Sequence, residues 1–167
     1  MKKIGFVLAL FISREAFSQN SCEKTIHYEY NKFESEHRFF TPMLDEKGRE
    51  ERIYFEKALS KGETKYYVHL KVDYPTFYLV LNSVSILFAD GSKISRMQQI
   101  MEVKPSKVTD FYKSTTLFRI NESELRLLLS KRIGGFRIQT DDFKIPEEES
   151  IQLKQQVECL KNARVPK

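Results

Sequence analysis

The chain has no tryptophan, only two cysteines and only three histidines among 167 residues, and each scarcity removes a class of function. Without tryptophan, a sugar-binding platform has to be built from tyrosine and phenylalanine, whose smaller rings offer less contact area. Zinc sites show tight ligand spacing, such as two histidines four apart on a helix or paired cysteines, and neither pattern occurs here. No serine or cysteine sits in a recognisable nucleophile elbow such as G-x-S-x-G, and no stretch carries a cofactor motif. Long apolar runs are missing too. Ile4 to Ile12, broken by Gly5, is less than half of the roughly 20 residues that cross a bilayer.

That short run does fit another purpose. Lys2 and Lys3 precede it, Arg14 and Glu15 come after it, and Ala16-Phe17-Ser18 places small residues at the minus-three and minus-one positions of a cleavage site. This is the layout of a secretory signal peptide over residues 1–18, leaving a mature chain of residues 19–167. Cleavage removes Lys2, Lys3, Arg14 and Glu15, and the formal charge falls from +5 to +3. The mature chain is then of one-domain size and only mildly basic, without a transmembrane anchor and with a periplasmic or secreted location.

Cys22 and Cys159 stand near the two ends of that mature chain, and in an oxidising compartment such a lone pair predicts a disulfide. Closing so long a loop stabilises by roughly 4–5 kcal/mol on the chain-entropy model. A lipid anchor at Cys22 is the alternative. A lipoprotein signal places a small apolar triplet before its cysteine, and Gln19-Asn20-Ser21 supplies only Ser21.

Period-two alternation dominates the first two thirds of the mature chain. Ile26, Tyr28 and Tyr30 alternate with polar residues, and Ile53, Phe55 and Leu59 share one side of a strand that Lys57 interrupts. After the turn-rich Ser60-Lys61-Gly62-Glu63, Tyr66, Val68, Leu70 and Val72 form one face of a long strand opposite Lys65, Tyr67, His69 and Lys71. Phe77 to Leu81 is almost wholly apolar, and Val84 to Phe88 leads into a tight Asp90-Gly91 hairpin turn. Residues 94–103 fit either helix or strand spacing, with a bulged strand preferred, and Phe111 to Ile120 reads as a further strand. Residues 42–52, PMLDEKGREER, form a charged loop.

Two helices close the chain. Asn121 and Glu124 have capping-box spacing ahead of Leu125, Leu128 and Leu129, and Gly134-Gly135 reads as the end of that helix. A short strand, FRIQT, comes next. The last helix starts near Pro146 with Glu147, Glu148 and Glu149 in its first turn, and buries Leu153, Val157 and Leu160 with Cys159 beside that seam. The fold class is therefore α+β: a mainly antiparallel sheet built of hairpins, followed by two C-terminal helices packed on one face or end.

Reactive groups are sparse on this frame. His27, Glu29, Glu34, Glu36 and His37 lie close in sequence, but the histidines are ten apart on solvent-leaning strand faces, which argues against a metal site. His69 alternates with lysines and tyrosine, as an exposed strand residue does. Asp141-Asp142 and Glu147 to Glu149 are explained by a loop and a helix start. The basic residues Arg119, Arg126, Lys131, Arg132 and Arg137 cluster around the penultimate helix and form a candidate anionic-ligand patch, although a charge of +3 is too weak a field for nucleic acid. Tyr66, Tyr67, Tyr74 and Tyr78 are candidates for a partner-binding sheet surface.

The signal ending AFSQ, the hairpin ILFADGSKI, the stretch INESELRLLLSKRIGGFRI and the final VECLKNA together resemble small uncharacterised exported proteins of the Bacteroidetes type. The resemblance implies an envelope location and a compact domain, and brings no catalytic residues with it. The expectation is an exported non-catalytic module without cofactor or metal, binding an envelope protein or small ligand through a sheet face or the loop at 42–52. The alternative is a small envelope hydrolase using His69 or His37 with a carboxylate.

Overall fold

A computed structural model describes residues 22, 25–43, 52–75, 81–106 and 110–166. Residues 1–18, where the sequence predicts a signal peptide, most of the charged loop at 42–52, and residues 77–80 of the apolar stretch lie outside them. The chain forms β1 (His27–Asn31), β2 (Glu36–Phe40), β3 (Ile53–Ser60), β4 (Glu63–Tyr74), β5 (Leu81–Phe88), β6 (Lys93–Ile100), β7 (Glu102–Pro105) and β8 (Tyr112–Ile120). Helix α1 (Glu122–Ser130), the hairpin β9 (Ile133–Ile138) and β10 (Asp141–Lys144), and helix α2 (Glu147–Asn162) complete it. This is the α+β arrangement that the sequence predicts, with two sheets rather than one. The first runs β1-β2-β3-β4-β8-β7 and the second β10-β9-β5-β6. Every pairing is antiparallel.

The turns behave as their residues dictate. Lys61 and Gly62 take φ of 49° and 80°, the pair of positive values that a two-residue hairpin between β3 and β4 needs. Gly91, at φ 83°, closes the β5–β6 hairpin, with the Phe88 N–H donating to the Ser92 carbonyl at 2.9 Å. Of the ambiguous stretch at 94–103, residues 94–100 belong to a bulged strand, β6, but the strand stops at Ile100, and after Met101 the chain passes into β7 of the other sheet. The β5–β6 register shifts between Asn82 and Val84, and Gln98 opposite takes φ 55°.

One hydrophobic cluster joins all layers. Ile53, Phe55, Val68, Leu70 and Phe118 of the first sheet meet Ile86, Phe136 and Ile138 of the second, with Leu125 and Leu128 of α1 and Leu153, Val157 and Leu160 of α2 between them. Helix α2 touches β3 of the first sheet, β9 of the second, and α1. Cys22 and Cys159 form a disulfide with Cα atoms 5.1 Å apart, tying the segment ahead of β1 to α2. Cys22 Sγ is thereby committed to that bond and leaves no thiol for a lipid thioether.

Several sequence readings need correction. Helix α1 starts as its capping box predicts, Asn121 accepting from the Glu124 N–H and Glu124 from the Asn121 N–H, but it ends at Ser130. Gly134 and Gly135 lie inside β9 instead. A Cβ on Gly135 would stand 2.5 Å from the Phe143 carbonyl oxygen, so glycine there serves the close approach of β10 and not a helix end. Asp141 and Asp142 open β10 and are not a loop. Lys57 does not break the β3 row, because it is itself buried in it. β2, β7 and β10 are short strands, in which alternation has little length to register.

Candidate functional site

Pairing register decides which side chains share a face of the six-stranded sheet. Tyr54 stands opposite His69, and His69 opposite Leu117, one row across β3, β4 and β8. The adjacent row is Phe40, Glu56, Tyr67 and Arg119 across β2, β3, β4 and β8. Core residues Phe55, Val68 and Phe118 alternate with these positions and point the other way, toward the helices and the second sheet. The Tyr54 to Leu117 row therefore belongs to an outer face.

At the centre of that face, Glu56 is only 5% exposed. Burying a carboxylate is costly unless it is paired and hydrogen-bonded, and two groups meet it. His69 Nε2 lies 2.8 Å from its Oε2, and Arg38 Nε lies 3.7 Å from its Oε1. Against an ionised carboxylate the His69 Nε2–H is the donor. Arg38 also donates to Glu36 at 2.6 Å and to Glu34 at 2.7 Å. Burial works against the Arg38 charge, but the Glu36 hydrogen bond and the Glu56, Glu36 and Glu34 charges outweigh it and raise its pKa. The His69 ring stacks on Tyr54 with centroids 4.3 Å apart and an 11° tilt, so the ring position is held.

His69 is thus half-buried and paired, not the exposed strand histidine that alternation with lysines suggests. The other two histidines stand apart from it. His37 lies on the inner side of β2, its Nδ1 2.9 Å from the Tyr28 hydroxyl, and His27 meets Glu29 at 3.0 Å in solvent. A Glu–His pair can orient an imidazole for proton transfer, but among the described residues no Ser, Thr or Cys side chain hydrogen-bonds His69. Among those residues no group of three or more His, Cys, Asp or Glu is arranged to hold a metal ion.

The five cations of the anionic-ligand patch are placed in five separate ion pairs. Arg119 donates to Glu63 at 2.9 Å, Arg126 lies 3.9 Å from Glu122, and Lys131 meets Asp90 at 2.7 Å. Arg132 pairs with Glu147, and Arg137 holds both carboxylate oxygens of Asp142 across the β9–β10 hairpin. The Lys131 and Ser92 hydrogen bonds hold the Asp90 carboxyl well below the usual carboxylate range. Of the tyrosines, Tyr67 is on the outer face, Tyr66 and Tyr74 pack against the core, and Tyr78 lies outside the described residues.

Sequence reasoning passed over Arg38, Tyr54 and Glu56, and weighed Glu36 only as a metal ligand. The available signal was the Glu56-Lys57 pair set inside IYFEKALS, an otherwise buried strand. No protein-family model, no curated protein and no solved structure matches this chain.

Proposed function

We propose that this chain is an exported, non-catalytic binding module that engages a protein of the cell envelope through the outer face of its six-stranded sheet. The observation that carries this reading is one-sided packing of the described elements about β4 and β8, although Phe40, Glu56 and Ala58 on the outer side of β2 and β3 are buried. Both helices and the four-stranded sheet cover the inner face, while the outer face presents Tyr54, Tyr67 and the 54%-exposed Leu117 around an ordered Glu56–His69–Arg38 network. An apolar and aromatic centre inside a charged rim is the anatomy of a protein-binding patch. Lys65, Lys71 and Lys113 lie on the same side as Glu36, Glu63 and Glu102. Such mixed signs suit a specific contact and give no single-sign field for a polyanion.

The signal-peptide layout of residues 1–18 supports export to the periplasm or beyond, and the disulfide fits an oxidising compartment. Among the described residues no helix is long and apolar enough to cross a membrane. The mature, oxidised chain immobilised against its own envelope fraction tests the reading. A partner retained by wild type and by Arg126→Ala, but lost with Leu117→Asp and Tyr67→Ala, supports it. Equal capture by all four proteins refutes it.

The 2.8 Å contact between His69 and Glu56 favours a second reading, an envelope hydrolase in which this pair activates water. Turnover of an ester or amide panel that disappears in His69→Ala would replace the binding reading with this one.

A further inference from the structure

On the inner side of the six-stranded sheet, away from the Tyr54 to Leu117 face, Lys57, Tyr66 and Ile120 form one cross-strand row. They line a groove of about 570 Å³ together with Arg96, Arg119 and Glu122, where the end of β8 passes into α1. A cavity of this volume is in the range of small-ligand sites, roughly 300–1,000 Å³. Its charges are unbalanced. Arg96 is consumed by Glu124, to which both of its terminal nitrogens donate, and by the Arg119 carbonyl. Arg119 gives one terminal nitrogen to Glu63 and keeps its remaining N–H groups unpartnered among the described residues.

Lys57 is the more telling group. It is 7% exposed, and its ammonium donates to the Lys161 carbonyl at 2.9 Å and the Ala163 carbonyl at 2.7 Å. Two of three N–H groups are thereby satisfied, and among the described residues no carboxylate pairs with it. Arg164 stands near enough to repel it, and burial with that repulsion lowers its pKa. Buried charges are ordinarily paired. Among the described residues only the carbonyls and partial negative charge of the α2 C-terminus face it, with no full counter-charge, at the wall of a groove whose Tyr66 hydroxyl is kept protonated by burial and by the Glu122 charge.

We infer that this groove binds a compact oxyanion, the carboxylate or phosphate of a sugar-sized ligand, with Lys57 and Arg119 as its ion-pairing groups. The anion supplies the full negative charge that the described residues do not place beside Lys57, and Tyr66 offers it a neutral donor. The site does not depend on the outer-face reading, since none of its probes is a protein and Lys57, Tyr66 and Ile120 point away from that surface, with only Arg119 reaching the groove from the outer-face row.

Amide spectra of the isotope-labelled, oxidised mature chain test it, with glucuronate, glucose 6-phosphate and neutral glucose as probes. Saturable shifts at Tyr66, Ile120 and Glu122 are expected with at least one anion and not with glucose. Binding by glucuronate alone assigns a carboxylate ligand, and binding by glucose 6-phosphate alone assigns a phosphate. Lys57→Met should weaken the anion by about tenfold or more, and the exposed Arg119→Gln by about threefold. Should Lys57→Met fail to fold, the wild-type Lys57 side-chain signal replaces it, and its titration must move to higher pH when the anion is bound. Glucose binding as tightly as the anions, no saturable shift with any probe, or unchanged affinity in Arg119→Gln with an unmoved Lys57 titration overturns the inference.

Discussion

Glu56 and Lys57 are neighbours on β3, both nearly buried, and they point to opposite faces of the same sheet. Glu56 is met by other side chains, His69 and Arg38, which arrive from the adjoining strands β4 and β2. Lys57 is met by backbone carbonyls at the end of α2, more than a hundred residues away in sequence. A helix C-terminus carries unsatisfied carbonyls and a partial negative charge, so a lysine there resolves two deficits at once. The difference teaches where each environment comes from. The Glu56 network is held by sheet pairing alone, whereas the Lys57 cradle exists only while α2 is docked.

The largest expected effect comes from releasing α2. Replacing Cys22 and Cys159 by serine removes a crosslink spanning 137 residues and should cost roughly 2–5 kcal/mol in denaturant unfolding. Reduction of the wild-type protein should reproduce that loss.

Next in size is the pair of buried charges. Glu56→Gln and Lys57→Met should each destabilise by about 1–3 kcal/mol, because each leaves buried polar groups without a partner. A double-mutant cycle separates them. Lys57→Met should couple to the cysteine substitutions by roughly 0.5–1.5 kcal/mol, while Glu56→Gln should add within about 0.5 kcal/mol. Equal coupling for both would erase the contrast. Lys57 also has a pH signature, since burial and Arg164 lower its pKa from the ordinary 10.5. The unfolded chain then holds that proton more tightly. Wild-type stability relative to Lys57→Met should rise as pH climbs from the lowered folded value toward 10.5.

A smaller effect is expected where the second sheet meets α1. The Arg96 hydrogen bonds depress the Glu124 pKa against a desolvation cost, with the Asn121 N–H assisting. Its folded pKa lies below the unfolded value, so the contribution is present above about 4.5 and lost as pH falls through the folded value. Glu124→Gln should cost about 1–2 kcal/mol at neutral pH, and the gap to wild type should close in acid unfolding curves. The smallest is Arg126→Ala, which breaks an exposed contact with Glu122 and should change stability by less than about 0.5 kcal/mol. A larger loss would mean that exposed pairs matter here as buried ones do.

The long elements were legible because their patterns are local. The alternation from Lys65 to Val72, the Asp90-Gly91 turn and the Asn121–Glu124 capping box each act within a few residues, and each stands where the sequence puts it. The site was less legible. His69 alternates with lysines as a solvent-facing residue would, and only the register that sets Tyr54 and His69 side by side turns it into a stacked, paired group. The placement of the basic residues near α1 was hidden for the same reason in reverse. Residues close in sequence were separated by strand and helix directions, and each met a carboxylate of its own.

By itself, the sequence determined the α+β class, the main hairpins, the start and seam of the final helix, and the pairing of its two cysteines. Those follow from short-range backbone preference, from periodicity, and from the want of any other thiol. Only the tertiary structure decided that the strands divide into two sheets, that Gly135 serves a strand contact, and that Lys57 is buried. Each of these depends on which surfaces meet across long stretches of chain. A charged residue in a strand carries no mark of whether a carboxylate, a carbonyl or water will face it.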